Sequence, residues 1–337
     1  MNRIIRALLV LTVVLVTACS APTATHTPAP PIAVSHKSGT MRISLGGTAN
    51  VKDVPSLMAF DALREQGYTV EVISFAKTSL IPPALDKGDI EVSDANVTLV
   101  WAAAAQGADI RTIVGKVNTS FLLVSTKDIN DCRDLDGKAL TFATRQSVGY
   151  VMFQQHVARN CPGIKNDVIL ISDSPSRVAA LQAGQVAAAY CDLEEWLQLQ
   201  RTAPDKYQVL INFAQEFPQV CFLTFSVRRE WAQQNPTMVQ DFVRALLASY
   251  RNVIASPELL RDGIAKYLSI EPARAQELAD AYLAAKIWDP NGGITADKVA
   301  YTLQFLRDGG ILSADFKVED VADLSYLNAV LADMGRQ

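Results

Sequence analysis

Histidine is almost absent from this sequence. Only His26, His36 and His156 occur in 337 residues, so a Ser-His-Asp triad or a histidine-built metal centre has almost no material to use. His156 sits inside the helical run "YVMFQQHVARN" and reads as an ordinary surface or packing residue. Cysteine is also scarce. None of the five lies in a C-x-x-C pair, which leaves out a redox or zinc motif of that kind. There is no basic block and the net charge is −4, so a nucleic-acid partner is not expected. The apolar run Ala7–Ala18 is twelve residues including two threonines, against roughly 20 needed to span a bilayer.

What is present begins with that short run. Arg3 and Arg6 precede it and Val16-Thr17-Ala18-Cys19 follows. A charged start, a short apolar centre and small residues at a cut site describe an export signal over residues 1–18. The last four residues resemble the bacterial lipobox, whose cysteine becomes the lipidated N-terminus. Lipidation at Cys19 is expected, with a secretory signal carrying a chance cysteine as the alternative. Residues 19–40 are rich in Pro, Ala, Thr and Ser without apolar periodicity, the composition of a disordered tether. The expected location is outside the cytoplasm, anchored by lipid to a bacterial membrane. About 297 residues remain, enough for two ordinary domains.

Cys132, Cys161, Cys191 and Cys221 allow three pairings in an oxidising compartment. The local choice, Cys132 with Cys161 and Cys191 with Cys221, closes two loops of about 30 residues. Four buried free thiols are the alternative.

The chain echoes itself. "ALDKGDIEVSDANVTLVW" (84–101) matches "ALQAGQVAAAYCDLEEWL" (180–197) at an offset of 96, and "YTVEVISF" (68–75) matches "NDVILISD" (166–173) at 98. "MRISLGG" (41–47) and "ALTFATR" (139–145) form a third pair. Each half reads strand, helix, strand, helix, Gly turn, strand. Such alternation predicts an α/β fold of two Rossmann-like lobes with parallel sheets and helices on both faces. Helical segments dominate from Asn235 onward and are expected to cover the first lobe. The boundaries are set at 41–117 plus 228–337 for lobe 1 and 118–227 for lobe 2.

Ligands of open parallel sheets bind beyond the carboxyl ends of the strands. That rule selects Gly47, Thr48 and Asn50, then Phe75, Lys77 and Thr78, then Asp94 and Asn96 in lobe 1. In lobe 2 it selects Arg145, Ser147, Asp173, Ser174, Cys191, Asp192 and Glu194. Asn118 joins them from the first crossing between lobes. Ser147 at a helix start offers free amides to an anion or carbonyl. Asp94, Asp192 and Glu194 would accept from amino or hydroxyl groups. Phe75, Tyr150 and Trp196 are candidates to stack on a flat ring.

From Met41 onward the chain resembles the solute-binding proteins of ABC importers in the nitrate, sulfonate, taurine and thiamine-precursor class. The segments that carry the likeness are "GDIEVSDANVTLVWAAAAQGADIRTIV", "DLDGKALTFATRQSVGY", "ALQAGQVAAAYCDLEEW", "SVRREWAQQNPTMVQDFVRAL" and "DLSYLNAVL". The resemblance implies a type II periplasmic-binding-protein fold with a two-strand hinge. It implies closure of two lobes around one small solute, then docking on a membrane permease served by an ATPase. It implies no catalysis, no cofactor and no metal, and a monomer is expected. Carboxylates outnumber basic residues in the selected loops. A nitrogen-bearing organic solute is therefore favoured, such as a vitamin or heteroaromatic precursor (a thiamine pyrimidine or riboflavin), over sulfonate or nitrate. Enzymes of pyrimidine or menaquinone-precursor synthesis share this fold, and a sensing partner of a membrane receptor is a third reading.

Overall fold

In the computed structural model, residues 37–313 and 315–337 are described. The expected export signal, Cys19 and residues 20–36 of the expected tether lie outside the described residues. The folded body begins a little before Met41. Thr40 already pairs with Thr69, and Lys37 forms an ion pair with Asp241 at 2.7 Å.

Strand β1 (Thr40–Gly46) buries Met41, Ile43 and Leu45 at alternate positions, the two-residue period of a strand. Helix α1 (Val54–Glu65) follows with Pro55 in its first turn, where the missing N–H costs nothing. The chain returns as β2 (Thr69–Phe75), parallel to β1 from Thr40↔Thr69 to Gly46↔Phe75. Then come α2 (Ile81–Lys87), β3 (Val92–Asn96), α3 (Val97–Ala105) and β4 (Ile110–Val117). Gly88 closes α2 at φ 82°, a left-handed conformation that suits glycine.

The chain then crosses into a second unit. Its strands are β5 (Leu122–Thr126), β6 (Ala139–Phe142), β7 (Asp167–Leu170), β8 (Ala188–Cys191) and β9 (Tyr207–Asn212). Between them lie α4 (Val148–Asn160), α5 (Ser174–Gln182), α6 (Leu193–Thr202) and, after β9, α7 (Phe213–Glu216). A return crossing leads to β10 (Leu223–Arg228) and the helices α8 (Arg229–Gln234), α9 (Pro236–Ala255), α10 (Pro257–Leu268), α11 (Pro272–Ala284), α12 (Ala296–Asp308), α13 (Val318–Val321) and α14 (Ser325–Met334).

The sheet orders are β2-β1-β3-β10-β4 and β7-β6-β8-β5-β9. The echo in the sequence is thus an echo in topology, since β6, β7 and β8 occupy the places of β1, β2 and β3. Neither sheet is purely parallel. β10 runs antiparallel to β3 and β4, and β5 antiparallel to β8 and β9. Each fourth strand is the one that has just crossed from the other lobe, so it enters its sheet from the cleft side. Because β10 belongs to the first sheet, the stretch 223–227 lies with lobe 1, not lobe 2. The C-terminal helices pack mainly on lobe 1, α9 and α10 against α1 and α14 against α9. Helix α12 also reaches lobe 2, where Gly309 at its end lies against Val151.

Cys132 and Cys161 are joined in a disulfide. The second local pairing does not form, and Cys191 and Cys221 are buried free thiols. Cys191 is enclosed in lobe 2 among Val178, Leu181 and Leu199, whereas Cys221 lies on the return crossing, its N–H donated to Thr302 Oγ1 at 2.9 Å. Burial raises both thiols, that of Cys221 to about 11, so little thiolate forms near neutrality. Alkylation at pH 8 followed by peptide mapping is therefore expected to leave Cys191 and Cys221 unmodified in the native protein. In denaturant without reductant both become modified, while Cys132 and Cys161 do not. Modification of either buried thiol under native conditions would contradict this packing.

Candidate functional site: a charged cleft between two sheets

The turn after β1 builds the first wall. Asn50 Oδ1 accepts from Lys52 N at 3.1 Å, and Asn50 N donates to Asp53 Oδ2 at 2.8 Å. This reciprocal cap fixes the single helical turn Val51–Asp53 and aims Lys52 and Asp53 inward; both are buried. At the end of β3, Asp94 is held through its N–H to Ser44 Oγ at 2.8 Å. Asn96 caps α3 by accepting from Thr98 N at 3.0 Å.

Lys116, near the end of β4, is only 3% exposed. Its ammonium is paired with both Asp53 and Asp94. Burial pulls its pKa down, but the two carboxylates outweigh that and raise it. Asp94 is raised by burial, opposed by Lys116 and reinforced by Asp53. One cation between two acids keeps its charge, while the acid with less help is pushed toward the neutral form.

The second wall comes from lobe 2. Asp192 caps α6 through Leu193 N at 2.8 Å, and its Oδ1 also accepts from Ser120 Oγ at 2.6 Å. Its own N–H donates to Ser174 Oγ at 3.0 Å and Glu195 Oε2 at 3.1 Å. Its other carboxylate oxygen pairs with Lys52 of lobe 1. Lys52 is 8% and Asp192 5% exposed, so the pair is buried where the lobes meet. Phe121 stacks on Tyr190 with ring centres 4.5 Å apart and meets Phe222 edge-on at 5.5 Å. Lys52 Nζ lies 5.4 Å above Phe121, within reach of the ring's attraction for a cation.

An open recess of about 200 Å³ lies against the first wall and the two crossings. Asn50, Thr78, Asp94 and Asn96, four of the residues expected from sequence, line it together with Lys52, Asp53, Lys116, Phe121 and Phe222. Asp192 is tied to it through Lys52. The other expected residues lie elsewhere. Gly47 donates its N–H to Phe75 O at 3.0 Å, and Thr48 and Lys77 are exposed. Arg145 donates to Tyr150 OH at 2.9 Å, and Ser147 caps α4. Asp173 is an exposed cap of α5. Ser174 donates to Glu195 Oε2 at 2.6 Å. Glu194 is half-buried, its carboxyl raised by burial and by Glu195. Trp196 packs on the core of lobe 2, which also holds Cys191. Asn118 borders a separate recess with Trp288 and Lys286.

Of the three aromatic candidates Phe75, Tyr150 and Trp196, none lines the recess; Phe121 and Phe222 on the crossing segments do. The signal for Lys52 and Asp53 was in the sequence, since Asn50 with Asp53 three residues later has the spacing of a capping box. The site as a whole sets two ammonium groups against three aspartates. It presents charged groups of both signs.

Two sheets of order 2-1-3 plus an incoming antiparallel strand, joined by two crossings over a charged cleft, define a two-lobed binding-protein fold. Residues 63–259 match the NMT1/THI5-like family, and the chain belongs to it. The taurine-binding periplasmic protein of Escherichia coli (strain K12) is 25% identical over 202 residues, 58% of this chain. The aligned part spans 61% of that relative's length. Among solved structures, the ligand-binding component of an ABC-type import system from Staphylococcus aureus is similar at a TM-score of 0.71 and 13% identity, covering 86% of this chain and 98% of that one. The periplasmic aliphatic sulphonate binding protein of Escherichia coli gives 0.66 at 14% identity, with coverages of 84% and 92%. The periplasmic nitrate-binding protein of Synechocystis PCC 6803 gives 0.66 at 11%, with coverages of 88% and 89%.

Proposed function

We propose that this protein is the extracytoplasmic solute-binding lipoprotein of an ABC importer, anchored through Cys19. It captures a small organic solute between its lobes and delivers it to a membrane permease and its ATPase. The observation that carries this reading is the buried contact of Lys52 from one lobe with Asp192 from the other beside a recess of about 200 Å³. A cleft whose walls hold each other is a cleft whose closure responds to what enters it. The similar proteins named above support the reading. In this assignment lobe 1 comprises residues 37–117 plus 223–337 and lobe 2 comprises 118–222.

The solute is small and carries nitrogen. The recess falls below the roughly 300–1,000 Å³ of sites for drug-sized ligands, which disfavours a riboflavin-sized ring system. Three aspartates against two lysines disfavour nitrate or any bare anion. The free thiols are buried and raised, which favours binding over cysteine chemistry. Calorimetric titration against amine-bearing solutes, sulfonates and nitrate tests the assignment. Saturable 1:1 binding of an amine-bearing solute is expected. Tight binding of nitrate alone would overturn the solute class, and no binding across the set would count against the transport reading.

A further inference from the structure

Lys52 and Asp192 are 140 positions apart, on opposite lobes, and both are buried. Every atom of this contact belongs to the chain. The carboxylate of Asp192 is a finished seat for a cation, since Ser120 Oγ at 2.6 Å and Leu193 N at 2.8 Å hold one oxygen and leave the other to Lys52. Lys52 in turn rests on a capped turn, with Trp288 Nε1 donating to its carbonyl at 3.4 Å. Lys116 is fully engaged with Asp53 and Asp94, whereas Lys52, among the described residues, has its ion-pair partner across the cleft.

We propose that Lys52 and Asp192 form a latch that closes the lobes on the chain's own charges, and that the solute able to replace it is a zwitterion. The proposal deepens the importer reading and rests on it for the identity of the site. A bare anion entering at Lys52 strands Asp192 as an unpaired buried carboxylate, and a bare cation entering at Asp192 strands Lys52. Either case forfeits most of what the new contact supplies. A molecule with an ammonium for Asp192 and an anionic head for Lys52 exchanges one ion pair for two and leaves no charge alone. The latch thus acts as a specificity device: it competes with every solute, and it competes least with one of both signs. It also means that the lobes close part of the time without solute, since closure then depends only on the free-energy difference between the two arrangements.

Two measurements on the full chain test the two halves separately. Small-angle scattering without added solute is expected to give a more compact envelope for the wild type than for Lys52→Met. The double variant Lys52→Met/Asp192→Asn, which strands no charge, is expected to match the open form and remain folded by circular dichroism. Equal envelopes for the wild type and the folded double variant would overturn the latch. Calorimetry with taurine, ethanesulfonate and ethylamine tests the solute class. Taurine, used as a zwitterionic probe, is expected to bind about 100-fold more tightly than either single-charge analogue, about 2.7 kcal/mol. Equal or tighter binding of ethanesulfonate or ethylamine, or binding of none of the three, would reject the zwitterion. The scattering result stands regardless, and the importer reading is judged by the wider titration above.

Discussion

Lys116→Met is expected to destabilise the protein by about 3–5 kcal/mol, the usual cost of breaking a buried ion pair from one side. Lys116 joins three pieces of lobe 1 through charge: the turn holding Asp53, the end of β3 at Asp94, and β4 itself. Methionine fills much of the same space, so the loss is electrostatic rather than a cavity. Two carboxylates then face each other with Lys52 as the nearest cation. Asp94, already raised by burial and by Asp53, loses the partner that opposed this and rises further. A carboxyl whose folded pKa lies above its unfolded value binds more protons in the native state, so stability falls as pH rises from about 4 toward the folded pKa. Urea unfolding of the variant at pH 5 and pH 8 is therefore expected to show the larger loss at pH 8. Adding Asp94→Asn, which keeps the shape and removes one charge, is expected to recover part of it. A loss under about 1 kcal/mol at both pH values would place the trio in the solvated class of surface ion pairs.

The parts of this molecule that were legible in sequence are the local ones. Alternation at Met41, Ile43 and Leu45, the proline at the start of α1 and the glycine after α2 each act within a few residues. The repeat follows because three such units recur in order. The direction of β10 was not legible. "LTFSV" reads as a strand, but nothing within it says that it runs against β3; that is set by the crossing that delivers it from lobe 2. The second cysteine pairing failed for a related reason. Thirty residues of separation permit a bridge, but a place inside β8 for one thiol and on the crossing for the other does not.

The cleft divides the same way. Asn50, Thr78, Asp94 and Asn96 were found because they end parallel strands, where open sheets expose their loops. Lys116 was hidden by its own charge, since a lysine in a strand ordinarily points to solvent. It is buried because acids 63 and 22 positions earlier meet it. Phe121 and Phe222 lie on the crossings, which the resemblance marks only as a hinge, whereas here they also line the recess. The aromatic rings near the strand ends, Tyr150 and Trp196, are instead consumed by the packing of lobe 2.

Removing the disulfide with Cys132→Ala/Cys161→Ala is expected to cost about 3–4 kcal/mol from loop closure over a separation of 29 residues. The bridge ties the turn Cys132–Leu135, at the start of lobe 2, to the end of α4. Both half-cystines are buried, so truncation adds a small packing loss. The effect belongs to one lobe. Hydrogen exchange is expected to accelerate in β6 and α4 while β1, β2 and α1 keep their protection, because local unfolding follows cooperative units rather than the whole chain. Neither cysteine lines the recess, so the molecules that remain folded are expected to bind solute with unchanged affinity, the fraction competent to bind falling instead. Exchange that rises equally in both lobes, or a loss below about 1 kcal/mol, would show that the bridge does not stabilise lobe 2 in this way. The size of the expected loss also bears on where the chain works. A lobe that draws several kcal/mol from a disulfide reaches its full stability only in an oxidising compartment.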